Sequence, residues 1–137
     1  MKYLVDTSAW HRVAIPEVAA RWSALLSDDS LAICDHIALE VLYSARSASD
    51  YDRTKRNLEG LSQIPTAETF QRARDVQQLL AHVGGLHHRS VTIADLLIAA
   101  AAEAASLTVL HYDEDFDRIS AVTGQPTEWI VPRGSLR

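Results

Sequence analysis

The chain has 137 residues, 47% of them hydrophobic, and carries 18 acids against 13 lysines and arginines, for a net charge of -5. That length suits one well-filled core, expected as a single domain over residues 1–137, and the acidic balance argues against a domain that grips nucleic acid simply by being basic. The longest apolar run, "LLIAAAAEAASLTVL", is interrupted by Glu103 and Ser106, which argues against a membrane span, and with no leader-like N-terminal segment a cytoplasmic protein is expected.

In chain order, "KYLVD" reads as a first strand, because Tyr3, Leu4 and Val5 form a short buried-type run. "EVAARWSALLS" follows as a helix with Val18, Trp22, Leu25 and Leu26 on one face. "LAICD" is a second strand, whose Cys34, the single cysteine, reads as a small core residue in a reducing compartment. "HIALEVLYSAR" is again helical, and "DYDRTKRNLEG" reads as a short polar helix or an exposed connection. "LSQIP" closes a third strand at Pro65. The clearest helix has Thr66 as its N-cap, Phe70, Ala73, Val76, Leu80 and Val83 at helical spacing, and Gly84 and Gly85 as its stop.

"LHHRSVT" reads as a loop, and "IADLLIAAAAEAAS" as a helix that is apolar nearly all round and so enclosed by the rest of the domain. "LTVLHY" is a strand, "DEDFDRISAVTG" a short helix ending at Gly124, and "TEWIV" a last strand. The tail "VPRGSLR" resembles a protease site of the kind added to expressed proteins and is left out of the expected fold. Strands alternating with helices at this spacing predict an α/β domain whose mainly parallel sheet has four to five strands flanked by helices.

Several carboxylates interrupt this apolar pattern. Asp6 ends the first strand, and in an open parallel sheet ligands bind at the carboxyl ends of strands. Asp113 ends "LTVLHY" in the same way, and Asp115 lies just inside the helix that follows. Asp95 sits in the first turn of the apolar helix, where an ionised group costs several kcal/mol unless something offsets it. Each acid also has a plain structural explanation. Asp95 suits a helix dipole, Asp113 an N-cap, and Thr7 or Ser8 could cap the next helix as readily as touch a ligand; Glu40 borders the apolar face of its helix, where exposed acids are common.

Together they say more than singly, because strand ends on one sheet edge converge on one cleft. Two carboxylates about 4 Å apart repel by about 4 kcal/mol at an effective dielectric near 20, so a cluster of them must bind protons or a cation. An all-oxygen set suits Mg²⁺ or Mn²⁺. Zinc fits poorly, since His11, His36, His82, His87, His88 and His111 show no ligand spacing with cysteine. A water-rich divalent ion on such a cluster suits phosphodiester hydrolysis, which needs no protein nucleophile.

"LVDTSAW", "ALEVL", "TIADLLIAAAA" and "LHYDEDFD", in this order and at these separations, resemble the PIN-domain ribonucleases, specifically the VapC-type toxins of bacterial toxin–antitoxin pairs. The resemblance implies that Asp6, Glu40, Asp95 and Asp113 form a catalytic acidic quartet holding one or two Mg²⁺ or Mn²⁺ ions, with Asp115 a possible fifth ligand. It further implies that Ser8 touches the ligands or their waters, that RNA is the substrate, that protomers pair as homodimers, and that a cognate antitoxin lays a basic side chain among the acids. Arg12, Arg46 and Arg89 are the candidates for positioning RNA. Two other readings stand beside this one: an aspartyl-phosphate hydrolase with Asp6 as nucleophile, although Ser8 stands where such enzymes place a second Asp, and a metal-binding interaction module that does not cut.

Overall fold

The computed structural model describes residues 1–65 and 69–136. Strand β1 (Tyr3–Val5) is buried on both faces, as a run of three large apolar residues requires. A one-turn helix α1 (Thr7–Trp10) follows directly, then α2 (Pro16–Ser27), β2 (Leu31–Ile33), α3 (Asp35–Tyr43), α4 (Ala48–Leu58) and β3 (Ser62–Gln63). The second half runs α5 (Phe70–Val83), α6 (His87–Ser90), α7 (Ile93–Ala104), β4 (Thr108–His111), α8 (Asp115–Thr123) and β5 (Thr127–Trp129).

The five strands form one parallel sheet in the order β3-β2-β1-β4-β5. From β1 the chain steps outward through β2 to β3, then returns to lay β4 on the other side of β1, with Leu4 opposite Val109. The strand order therefore reverses between β1 and β4. A parallel sheet opens its ligand crevice at the carboxyl end of such a switch point. Asp6 leaves β1 at that point, its amide donating to the Leu110 carbonyl at 2.9 Å.

Helix α7 fulfils the expectation of an enclosed helix: Leu96 through Ala102 are all buried, and it packs against α3, α5, α8 and β4. Thr92 caps it, its hydroxyl accepting from the Asp95 amide at 3.2 Å, so the helix start is pinned where its one acidic first-turn residue stands. The segment from 48 to 58 is a helix, started by the Ser47 hydroxyl accepting from the Asp50 amide. No helix among the described residues is long and apolar enough to cross a membrane.

Several expectations are corrected. The apolar spacing of α5 buries Ala73, Val76 and Leu80 but leaves Phe70 64% and Val83 53% exposed, because both lie at helix ends that reach past the core. Leu26 is likewise exposed, at the last turn of α2. "LHHRSVT" contains the one-turn helix α6, entered through Leu86 at φ +58°. Thr66, expected as the cap of α5, falls outside the described residues; Gly84, at φ +92°, does end that helix. The tail belongs to the fold: Arg133 pairs with Glu114 at 2.5 Å and lies over the Trp129 ring, while Leu136 packs on the core and its amide donates to the Tyr112 hydroxyl at 3.1 Å.

Candidate metal centre

Asp6 is 3% exposed and is the N-cap of α1. Its Oδ2 accepts from the Ser8 amide at 3.0 Å and the Ser8 hydroxyl at 2.5 Å. The other oxygen, Oδ1, is buried with no hydrogen-bond partner. The capping role that Thr7 or Ser8 could have filled thus belongs to Asp6, and the two hydroxyls are free for other work. Ser8 Oγ accepts from the Tyr112 amide at 2.9 Å, tying the exit of β1 to the exit of β4. Thr7 Oγ1 donates to Glu40 Oε1 at 3.1 Å, which brings the α3 acid to the same end of the sheet.

Asp95, Asp113 and Asp115 form the tightest group, each offering a carboxylate oxygen within 4.8 Å of the others'. Asp95 comes from the first turn of α7, Asp113 from the turn after β4 and Asp115 from the first residue of α8. Asp113 Oδ1 accepts from the Asp115 amide at 2.9 Å, so the side chain of Asp113 braces the turn into α8 while its carboxylate stays at the cleft. Asp115 is also reached by Arg118, at 2.9 Å. Of the residues expected from the sequence, Asp115 stands inside this trio; Asp6 stands outside it, coupled to it through charge, and Glu40 stands outside it, coupled through charge to Asp6.

The electrostatics follow from this geometry. Burial pushes Asp6 up to about 6 even though two hydrogen bonds from Ser8 pull the other way, and the charges on Glu40 and Asp113 add to the rise. Asp95 is driven upward more strongly, first by burial, then by the charge on Asp6 and by a hydrogen bond shared with Asp115 that requires a proton on the pair. Burial also raises Asp113 and Glu40. Without a cation, the cluster must hold protons at neutral pH. The donors fit a hard divalent ion: they are all carboxylate oxygens, and the bare Asp6 Oδ1 is a buried acceptor with lone pairs to offer.

The basic residues expected to position RNA are dispersed. Arg12 lies beside the cleft, donating to the Ser8 carbonyl at 2.7 Å and resting over the Tyr112 ring. Arg46 is exposed after α3, its amide held by Asp50, and Arg89 is exposed on α6. The structure adds two groups to the site that sequence reasoning did not assign to it. One is Thr7, whose contact lies 33 residues away in the chain. The other is His111, whose ring is fully buried against Phe116 and Trp129 and whose Nδ1 accepts from the Asp113 amide at 3.1 Å. Burial pushes that histidine down to about 4, so its ring is neutral. Its position at the end of an apolar strand, two residues before a cleft acid, was the available signal.

The chain is similar to known proteins over nearly its whole length. The PIN domain family matches residues 3–122. Ribonuclease VapC18 of Mycobacterium tuberculosis is 65% identical over 137 residues, covering 99% of this chain and 100% of its own length. Ribonuclease VapC51 of the same organism is 44% identical, covering 99% of this chain and 98% of its own. Among solved structures, DNA-bound VapBC from Salmonella typhimurium superposes with a TM-score of 0.75 at 18% identity, covering 96% of this chain and 99% of that one. VapBC-1 from nontypeable Haemophilus influenzae gives 0.70 at 19% identity, covering 95% and 98%. At those identities the structural likeness bears on the fold.

Proposed function

The chain belongs to the PIN-domain family, and from that premise we propose that it is a VapC-type toxin: a cytoplasmic, metal-dependent endoribonuclease that hydrolyses RNA phosphodiester bonds and is neutralised by a cognate antitoxin. The observation that carries this reading is the packing of Asp95, Asp113 and Asp115 within 4.8 Å, beside a buried Asp6 whose Oδ1 has no partner. Its relatives VapC18 and VapC51 are named as ribonucleases.

Asp6, Asp95, Asp113 and Asp115, with Glu40 beside Asp6, would hold one or two Mg²⁺ or Mn²⁺ ions. When bound, such an ion lowers the pKa of water, polarises a phosphoryl oxygen and offsets charge on the leaving oxygen. The chain's own residues supply the frame. Ser8 fixes Asp6 Oδ2 and leaves Oδ1 without a partner, Thr7 holds Glu40 at the same end of the sheet, and the capped start of α7 holds Asp95 in place. Arg12, anchored beside Ser8, together with Arg46 and Arg89, steers the RNA backbone.

The antitoxin contributes a basic side chain to the same acids, a reading supported by the Arg118–Asp115 pair, in which a guanidinium already sits beside one of them. An apolar surface formed by Leu39 and Tyr43 on α3, with Phe70 and Ile93 nearby, supports pairing of two protomers.

The test is cleavage of RNA by protein freed of any partner. Cleavage with Mg²⁺ or Mn²⁺ that stops on adding EDTA, and is absent in Asp95→Asn, is the expected result. Cleavage that survives chelation contradicts it.

A further inference from the structure

We infer that His111 is a positioning residue for the metal centre: its bare Nδ1 holds the Asp113 amide and thereby fixes the turn that carries two of the three clustered carboxylates. This inference rests on the metal-centre reading above.

Three backbone-to-side-chain contacts build the turn. The Tyr112 amide donates to Ser8 Oγ at 2.9 Å, the Asp113 amide to His111 Nδ1 at 3.1 Å, and the Asp115 amide to Asp113 Oδ1 at 2.9 Å. The amides of Tyr112, Asp113 and Asp115 are each satisfied by a side chain, and that of Asp113 depends on His111. The same ring leaves its Nε2 buried without a partner, and since Nδ1 is an acceptor, the proton of the neutral ring must sit on Nε2. A position needing only a ring between Phe116 and Trp129 would be filled better by phenylalanine, which has no N–H to leave unpaired. What histidine supplies there, and phenylalanine cannot, is the acceptor.

Two substitutions separate the acceptor from the ring. His111→Asn keeps an oxygen at the place of Nδ1 and loses the ring; His111→Phe keeps the ring and loses the acceptor. In His111→Phe, Mn²⁺ binding measured by calorimetry weakens about tenfold or more, and kcat on RNA falls with KM little changed, whereas His111→Asn stays within about threefold of the parent in both. In the metal-free proteins, hydrogen exchange at the Asp113 amide is fast in His111→Phe and slow in the parent and His111→Asn. A nitrogen-15 spectrum of the unmodified protein shows Nδ1 bare and Nε2 protonated, a readout that stands even where a variant does not fold.

The inference is overturned by a protonated Nδ1, or by a His111→Phe protein that binds Mn²⁺ as the parent does with its Asp113 amide protected. If Mn²⁺ binding and amide exchange shift as stated while no RNA is cut, the positioning role stands and the nuclease reading falls.

Discussion

The rim of the domain and the cleft at the end of β1 and β4 use the same residue types in opposite ways. On the rim, acids meet arginines: Glu103 takes a two-pronged contact from Arg72 at 2.7 and 3.1 Å, and Glu128 pairs with Arg21 at 2.6 Å. Burial pushes Glu128 upward, yet hydrogen bonds from Tyr3 and Arg21 and the charge on Arg21 bring it below its ordinary value. In the cleft, Asp6 and Asp95 are more deeply buried and both are pushed upward. A fold able to give its rim acids arginine partners, and to give Arg118 to Asp115, leaves the buried Asp6 and Asp95 with none. Stability alone does not account for that arrangement, and a bound cation does.

The sharpest way to break this contrast is to neutralise one acid from each region. Asp6→Asn should lower RNA cleavage at least about a hundredfold, while Glu103→Gln leaves it within about twofold, as measured by initial rates at saturating Mn²⁺. Comparable losses in both would erase the distinction.

A second consequence concerns pH. Asp6 rises from 3.8 to about 6 on folding, so the folded state holds more protons than the unfolded state across that window. The stability associated with this group is present below the lower value and is lost as pH rises through the upper one, by roughly 3 kcal/mol in all. Asp95 extends the same trend to higher pH. Thermal melts in EDTA should therefore show the cleft weakening the protein as pH rises from 5 to 8, and Mn²⁺ should raise the melting temperature more at pH 8 than at pH 5. An equal gain at both would deny the cluster its role.

Smaller effects sharpen the picture. Ser8→Ala removes the hydroxyl that joins Asp6 to the Tyr112 amide, and should cost about tenfold in cleavage and about 1–3 kcal/mol in denaturant unfolding. Arg72→Gln, which breaks a half-exposed rim pair, should cost no more than about 1 kcal/mol by the same unfolding measurement.

Much of this was legible in the sequence for physical reasons. Three short apolar runs could only be strands buried on both faces, and an apolar helix of twelve residues had to be enclosed. Asp6 and Asp113 stood out because each follows such a run directly. Helices α1 and α6 were not legible, since four residues make barely one turn and carry no periodicity. Glu40 was raised above its neighbours by family resemblance alone, because a partly buried helical acid has no distinctive spacing. The inward place of Asp115 was hidden as well: three acids lie between residues 114 and 117, and only the turn fixed by Asp113 decides which of them faces the cleft. The work of Thr7 depends on a contact 33 residues away that no local pattern encodes, and that of His111 on a ring orientation set by Phe116 and Trp129.

The central claim is that these acids share a divalent ion. Anomalous diffraction from crystals of the free protein grown with Mn²⁺ tests it directly. The expected result is a peak bounded by carboxylates from the set Asp6, Asp95, Asp113 and Asp115; no peak there at millimolar Mn²⁺, or a peak held by residues outside that set, contradicts the claim.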